Sequence, residues 1–205
     1  MSPEALRKAA PRAASRPGLL LVISGPSGAG KSTICRQLLR RLPDAVWSIS
    51  ATTRLPRGRE VDGSDYYFVS RQRFERMIQR GQLLEWAEYL GNLYGTPREP
   101  AEKALAAGRV MVMEIDVQGG RQIAEKVPDS VRVFLLPPSE EELARRLTGR
   151  RTETPEQQRQ RLAKAHQEIA WARQWACYQH FVVNESVART VTDVLRIIKA
   201  RRERK

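Results

Sequence analysis

The apolar run Leu19-Leu20-Leu21-Val22-Ile23 leads directly into Gly25-Pro26-Ser27-Gly28-Ala29-Gly30-Lys31-Ser32, and no other stretch constrains the fold as much. A short apolar run closed by a glycine-rich turn reads as a buried strand, and the turn opens a helix. That arrangement points successive backbone N–H groups, and the positive end of the helix dipole, at a single spot where an anion belongs. The pattern is G-x-x-x-x-G-K-S. Its lysine suits the β- and γ-phosphates of a nucleoside triphosphate, and its hydroxyl suits the Mg²⁺ that bridges them. The candidate triphosphate-binding residues are therefore Gly25, Pro26, Ser27, Gly28, Ala29, Gly30, Lys31, Ser32 and Thr33, with Ser32 on the metal. A turn that merely joins strand to helix is the competing reading, and the complete pattern in this context argues against it.

Downstream, short apolar runs alternate with helical patterns, as in parallel βαβ units. Strands are expected at Leu19–Ser24, Val46–Ser50, Tyr66–Val69, Leu83–Tyr89, Val110–Asp116, Val131–Leu136 and Phe181–Asn184. Ser139 with Glu142 forms a capping box ahead of Leu143, and Pro97 and Pro100 suit the first turn of a helix running to Gly108. Thr154, Pro155 and Gln157 announce a further helix with Leu162, His166, Ile169 and Arg173 spaced along it. The last helix carries Val187, Val191, Val194, Leu195 and Ile198 on one stripe. Between Ser50 and Trp86 the chain turns rich in Pro, Gly and charge between β-like runs, the pattern of an inserted lobe that could hold a second substrate across a cleft from the loop. The expected fold is thus α/β: a P-loop NTPase-type parallel sheet flanked by helices, with an inserted β-rich lobe at about 51–97 and a helical lid at about 140–165.

A chain of 205 residues suffices for one such domain. Residues 1–17 read as a basic, disordered tail, 18–200 as the folded domain and 201–205 as a basic end. No apolar run reaches the roughly 18 residues that a membrane helix needs. Two cysteines, Cys35 and Cys177, offer neither a disulfide framework nor metal-ligand spacing, read as packing residues and fit a reducing cytoplasm. The net charge of +13 raises the question of nucleic acid. Its distribution answers it. Arg7, Lys8, Arg12 and Arg16 stand against Glu4 at the start, five bases stand against Glu203 in 199–205, and six arginines stand against two glutamates in 145–161, leaving +2 elsewhere. Two tails and one cluster do not make a continuous basic face, so no specific nucleic-acid partner is expected.

Glu114 and Asp116 close the strand that starts at Val110. In a parallel sheet the carboxyl ends of strands face the ligand crevice, where carboxylates can support a metal shell or steer a guanidinium. An acid capping the turn before Gly119 and Gly120 is the alternative. Arg150, Arg151 and Arg161 span a helix end, a short loop and the next helix. Arginines are the preferred clamp for phosphoryl transfer because the planar fork binds phosphate oxygens in pairs and stays charged. Arg145, Arg146 and Arg159 read as a solvated helical face.

The run Ser50-Ala51-Thr52-Thr53-Arg54-Leu55-Pro56-Arg57, followed by Glu60, Gly63, Asp65 and Tyr66, is joined by Glu85-Trp86, Tyr94-Gly95-Thr96, Glu114-Ile115-Asp116-Val117-Gln118-Gly119 and Arg150-Arg151-Thr152-Glu153-Thr154. In this order, over about residues 18–200, these closely resemble the guanylate kinases. The resemblance implies ATP-dependent phosphorylation of GMP to GDP with Mg²⁺, with dGMP as another candidate acceptor and a homo-oligomer compatible. It implies that Arg54, Arg57, Tyr66 and Tyr94 hold the GMP phosphate, that Ser50, Glu85 and Thr96 contact guanine with Glu114 and Asp116 nearby, and that Lys31, Arg54, Arg151 and Arg161 are catalytic. The chemistry agrees, since a carboxylate at Glu85 can accept from the N1–H and 2-amino group of guanine, which adenine lacks. The chain departs from the family in Thr96, where serine is frequent, in Glu114, where some members carry aspartate, and in its basic start.

Two other functions compete with this one. A non-catalytic, guanylate-kinase-like interaction module would not need the intact Lys31-Ser32 or the lid arginines, and a nucleic-acid binder would act through the tails. His166 and His180 are isolated, while Trp47, Trp86, Trp171, Trp175, Tyr67 and Phe68 read as packing residues.

Overall fold

Strand β1 (Leu19–Ser24) is buried at every position, which is why its sequence is apolar without alternation: a central parallel strand is covered on both faces. The computed structural model describes residues 17–148 and 155–204. After β1 come α1 (Lys31–Arg41), β2 (Ala45–Trp47), β3 (Ala51–Thr52), β4 (Tyr67–Phe68), α2 (Arg71–Gln79), β5 (Leu83–Tyr89), β6 (Asn92–Pro97) and α3 (Arg98–Ala106). The chain continues through β7 (Val110–Glu114), α4 (Val117–Lys126), β8 (Val131–Leu136), α5 (Glu140–Thr148), α6 (Pro155–Gln174), β9 (His180–Val183) and α7 (Val187–Glu203).

Five strands form a sheet in the order β2-β7-β1-β8-β9, and every neighbouring pair is parallel. The α/β class and the parallel sheet therefore agree with the sequence reading. Alternate residues of β1 serve opposite layers. Leu19, Leu21 and Ile23 pack with Ile34, Cys35 and Leu38 of α1 and Val191, Val194 and Ile198 of α7. Leu20 and Val22 pack with Met111 and Met113 of β7, Ala101 of α3 and Ile123 of α4. A second sheet, β4-β3-β6-β5, is built from residues that lie between β2 and β7 in the chain. It has its own small core of Ala51, Phe74, Leu83 and Leu93. Among the described residues no helix is long and apolar enough to cross a membrane.

Several boundaries differ from expectation. The run Val46–Ser50 is not one strand: residues 45–47 pair with β7, and the chain then crosses to the small sheet, where β3 pairs with β6 and β4. Strand β7 stops at Glu114, and the Asp116 carboxylate accepts the Gly119 amide at 2.9 Å as the cap of α4. Gly119 and Gly120 thus lie inside a helix. Neither β6 nor α2 is among the elements expected from the sequence. β6 carries glycine and proline, and only its antiparallel pairing with β5 makes it a strand. The connecting residues Leu90 and Gly91 both have positive φ, 49° and 75°, as a tight hairpin turn requires. In α2 the highly charged sequence hides a single buried anchor, Phe74, behind a Ser70 cap. On α6 the inward face is Ala165, Glu168 and Ala172, whereas His166 and Arg173 are exposed. Trp86 is exposed too, and Trp171 stacks on Trp175 at 5.2 Å.

Gly120 shows how closely α4 is pressed into the fold. A Cβ there would sit 2.0 Å from the Tyr178 hydroxyl oxygen and 2.7 Å from its ring. Gly120→Ala is expected to destabilise the protein by about 1–3 kcal/mol through overpacking, read as a lower urea midpoint. Adding Tyr178→Phe, which removes the colliding oxygen, should recover part of that loss.

Candidate active site

Helix α1 begins at Gly30, whose φ of 90° and lack of a side chain leave the first amides of the helix uncapped by any side chain. A Cβ at Gly30 would meet the Asn184 amide nitrogen at 2.5 Å. Asn184 uses that nitrogen to donate to the Ala29 carbonyl at 2.8 Å and accepts from the Thr190 hydroxyl at 3.0 Å, so β9 and α7 together brace the loop. The Lys31 ammonium folds back to the Gly25 and Pro26 carbonyls at 2.7 and 3.1 Å. The Ser32 hydroxyl donates to Glu114 Oε1 at 2.7 Å.

The loop forms one wall of a cavity of about 370 Å³. Of the residues expected from the sequence, Gly25, Ser27, Lys31, Ser32, Ser50, Tyr66, Glu85, Tyr94, Glu114, Asp116 and Arg161 line it. Thr96 lies behind Glu85, to which its hydroxyl donates at 2.8 Å. Arg54 stands behind Tyr66, its guanidinium 5.3 Å from the ring centre. Arg57 lies outside the cavity lining, on the exposed loop, where its backbone amide donates to Glu60 at 2.7 Å. Pro26, Gly28, Ala29, Gly30 and Thr33 complete the loop and the first turn of α1 without lining the cavity. Arg150 and Arg151 lie outside the described residues, as do residues 1–16 of the tail.

On the small sheet a cluster of aromatic and cationic groups is already organised. Arg54 makes two 2.9 Å hydrogen bonds to the two Glu60 oxygens, lies near the Tyr66 and Phe68 rings, and has a 9% exposed side chain. The bond to Glu60 holds the guanidinium all the more firmly in its charged form and pulls the Glu60 carboxyl below its ordinary range. Tyr66 and Tyr94 meet edge to face at 6.1 Å, and burial raises the Tyr66 hydroxyl.

Glu85 is the most unusual group of the site. It is 4% exposed, and burial pushes its carboxyl up to about 7, with the Thr96 hydroxyl opposing and the Asp116 charge reinforcing the shift. Its Oε2 leaves no room for a side chain on Gly119, whose Cβ would stand 2.5 Å away. Such a carboxyl is poised to ionise when hydrogen-bond donors arrive.

Besides Arg161, which the sequence marks, helix α6 supplies two residues that it does not. The Arg161 guanidinium donates to the Ser27 hydroxyl at 2.7 Å, and Lys164 and Glu168 also line the cavity. Burial raises the Glu168 carboxyl, while the charges of Lys31 and Lys164 and the Ser27 backbone amide act against that shift. The spacing of 161, 164, 165 and 168 was the available signal, obscured because three of these positions are charged and one is alanine. Trp47, Ser48, Ala87 and Tyr89 join the wall as well. Arg145 and Arg159 pair along their helix with Glu142 and Glu156, as a solvated face should. Arg146 also pairs with Glu142, at 2.7 Å, but is half-buried and donates in addition to the Asn184 carbonyl at 3.3 Å. His166 is satisfied at the surface by Glu140 at 3.2 Å.

Among the described residues no group of three or more His, Cys, Asp or Glu could hold a metal ion. The Ser32 hydroxyl and Glu114 carboxylate nonetheless form an oxygen pair suited to a hard divalent cation, which commonly takes one or two protein ligands and completes its shell with phosphates and water.

A triphosphate loop and an acid- and tyrosine-lined pocket on an inserted sheet, sharing one cavity, define a P-loop nucleoside monophosphate kinase. The guanylate kinase family model matches residues 18–201. The guanylate kinase of Thermobifida fusca is 49% identical over 90% of this chain and 93% of that protein, and that of Myxococcus xanthus 48% identical over 92% and 90%. The crystal structure of the Anaplasma phagocytophilum guanylate kinase superposes with a TM-score of 0.74 at 34% identity, over 91% of this chain and 87% of that one. The chain belongs to the guanylate kinase family. It is an enzyme that phosphorylates GMP to GDP at the expense of ATP, and guanylate kinases generally need a divalent metal to do so.

The Glu85 environment sets a pH signature. Its folded carboxyl is raised to about 7 from an ordinary 4.5, so between those values the native state holds a proton that the unfolded chain releases, and this group costs stability as pH rises. Above the folded value the cost levels off. Glu85→Gln is therefore expected to melt higher than the parent protein, with the gap widening from about pH 5 to about pH 7.5. A gap that stays constant with pH contradicts the assignment.

Proposed function

We propose that the cavity holds the two substrates face to face, with the ATP phosphates on the loop at 25–33 and GMP against the small sheet, the residues taking the roles that follow. The observation that carries this is the single lining shared by Lys31, Ser32, Tyr66, Glu85 and Tyr94. Lys31, now held by two carbonyls of its own loop, turns to the β- and γ-phosphates, which offer a full charge where the carbonyls offer a dipole. Ser32, with Glu114 beside it, holds Mg²⁺, which neutralises developing phosphate charge when bound. Arg161, already on the loop at Ser27, steadies the group in transfer, and Arg151 of the lid segment at about 140–165 is assigned the same task.

On the acceptor side Arg54, Tyr66 and Tyr94 grip the GMP phosphate from the lobe at about 51–97, with Arg57 closing from the exposed loop. Guanine is read by Glu85, which accepts its N1–H and 2-amino hydrogens, and by the Ser50 and Thr96 hydroxyls, with Asp116 adjacent. Binding those two donors favours the ionised carboxylate, so the proton that burial keeps on Glu85 leaves as guanine enters. The attacking phosphate oxygen is already anionic, so the reaction needs orientation and charge stabilisation rather than a base. dGMP fits the same reading, because none of these contacts requires the 2′-hydroxyl. The basic tails are assigned no specific nucleic-acid partner, and the cytoplasm, where both nucleotides are abundant, is the proposed site of action.

A coupled assay tests the substrate. GMP should drive ADP formation far above AMP, UMP or dTMP, and equal rates with all four would overturn the reading. Lys31→Ala should lower turnover by about a hundredfold or more while the GMP KM moves by less than about twofold, since Lys31 serves the donor alone. Comparable losses in both would contradict that division. GMP affinity, followed by calorimetry, should rise with pH through about 7 in the parent protein more steeply than in Glu85→Gln, where only the nucleotide's own titration is left.

A further inference from the structure

Lys164 and Tyr89 meet across the cavity. The Lys164 ammonium lies 3.8 Å from the centre of the Tyr89 ring, both residues line the cavity, and both are half-buried. A cation so close to an aromatic face is attracted by the ring quadrupole, more strongly where water is partly excluded.

What matters is what each partner is attached to. Tyr89 ends β5, and along that strand Glu85, Ala87 and Tyr89 all face the cavity, as alternation requires. The strand that presents the guanine-reading carboxylate therefore also presents the ring. Lys164 lies three residues from Arg161 on α6, hence on the same helical face, and Arg161 holds the donor loop through Ser27 at 2.7 Å. A short rigid path thus runs from the triphosphate loop, through one turn of helix, to the acceptor strand.

We infer that Lys164 and Tyr89 are positioning residues that form a latch between the donor and acceptor halves, so that occupation of the loop by ATP favours the lobe position that binds GMP. The inference rests on the reading of the cavity as the meeting place of ATP and GMP. The latch touches neither reacting phosphate in this scheme. It acts by coupling the two sites, and coupling is a measurable free energy shared by both ligands.

Calorimetric titration of GMP with and without a non-hydrolysable ATP analogue tests it. In the parent protein the analogue should tighten GMP binding. Lys164→Met and Tyr89→Leu should each reduce that tightening by about three- to tenfold, a larger change than either makes in GMP affinity without the analogue. The double variant should lose no more than either single one, because each removes the same contact. Tyr89→Phe, which keeps the ring, and Lys164→Arg, which keeps the cation, should retain the coupling. Unchanged coupling in Lys164→Met, a loss confined to the lysine variants, or losses that multiply in the double variant would each overturn the latch. If the parent protein itself bound no GMP, the underlying reading would fail instead.

Discussion

The pairing of β1 with β7 is the constraint on which the site depends. Their parallel register sets Ile23 beside Glu114, so the strand that ends in the phosphate loop and the strand that ends in a carboxylate finish side by side. The 2.7 Å hydrogen bond from Ser32 to Glu114 joins residues 82 positions apart in the chain. A one-residue slip would turn every side chain of one strand to the opposite layer. Leu21 and Ile23 belong to one core layer and Leu20 and Val22 to the other, so such a slip is strongly opposed by packing. The geometry of this half, the one proposed to hold the donor, is thus secured by apolar burial in both layers.

The half proposed to hold the acceptor is organised differently. Its sheet is small, its core is four buried residues, and its functional groups are held largely by polar contacts: Arg54 by Glu60, Glu85 by Thr96. These bonds orient charged side chains before any nucleotide arrives, which is where an enzyme gains most from polar interactions, since the cost of ordering is met during folding. Burial of Glu85 costs the native state an easy ionisation and gives in return a group whose charge depends on what stands opposite. A base with two donors at the right spacing satisfies both oxygens of the ionised carboxylate, whereas one that presents an acceptor there can meet only the single O–H of the neutral form.

Much of this was legible in the chain, for identifiable reasons. The loop at 25–32 has a local mechanism, with glycines and a lysine at set spacing after an apolar run, and so it reads out directly. The residues drawn from the resemblance to the guanylate kinases, Tyr66, Glu85, Tyr94 and Glu114 among them, converge on one cavity although they are widely separated in sequence. What stayed hidden depended on tertiary contact. β6 is a strand because β5 lies beside it, and α2 is a helix anchored by Phe74 alone. Beside Arg161, the cavity-facing side of α6 carries Lys164 and Glu168, polar residues that no hydrophobic periodicity reveals. Asp116 serves both as a cavity wall and as the cap of α4, so two readings that looked exclusive are compatible.

The central claim is that two anionic nucleotides are held head to head in one cavity, the donor by amides and Lys31 and the acceptor by the small sheet. A bisubstrate compound in which adenosine and guanosine are joined by a polyphosphate bridge tests it most directly, by calorimetry with the intact protein. The account predicts binding tighter than either nucleotide alone by orders of magnitude, because one molecule fills both halves and the second contact becomes intramolecular. Binding no tighter than ATP alone would contradict it.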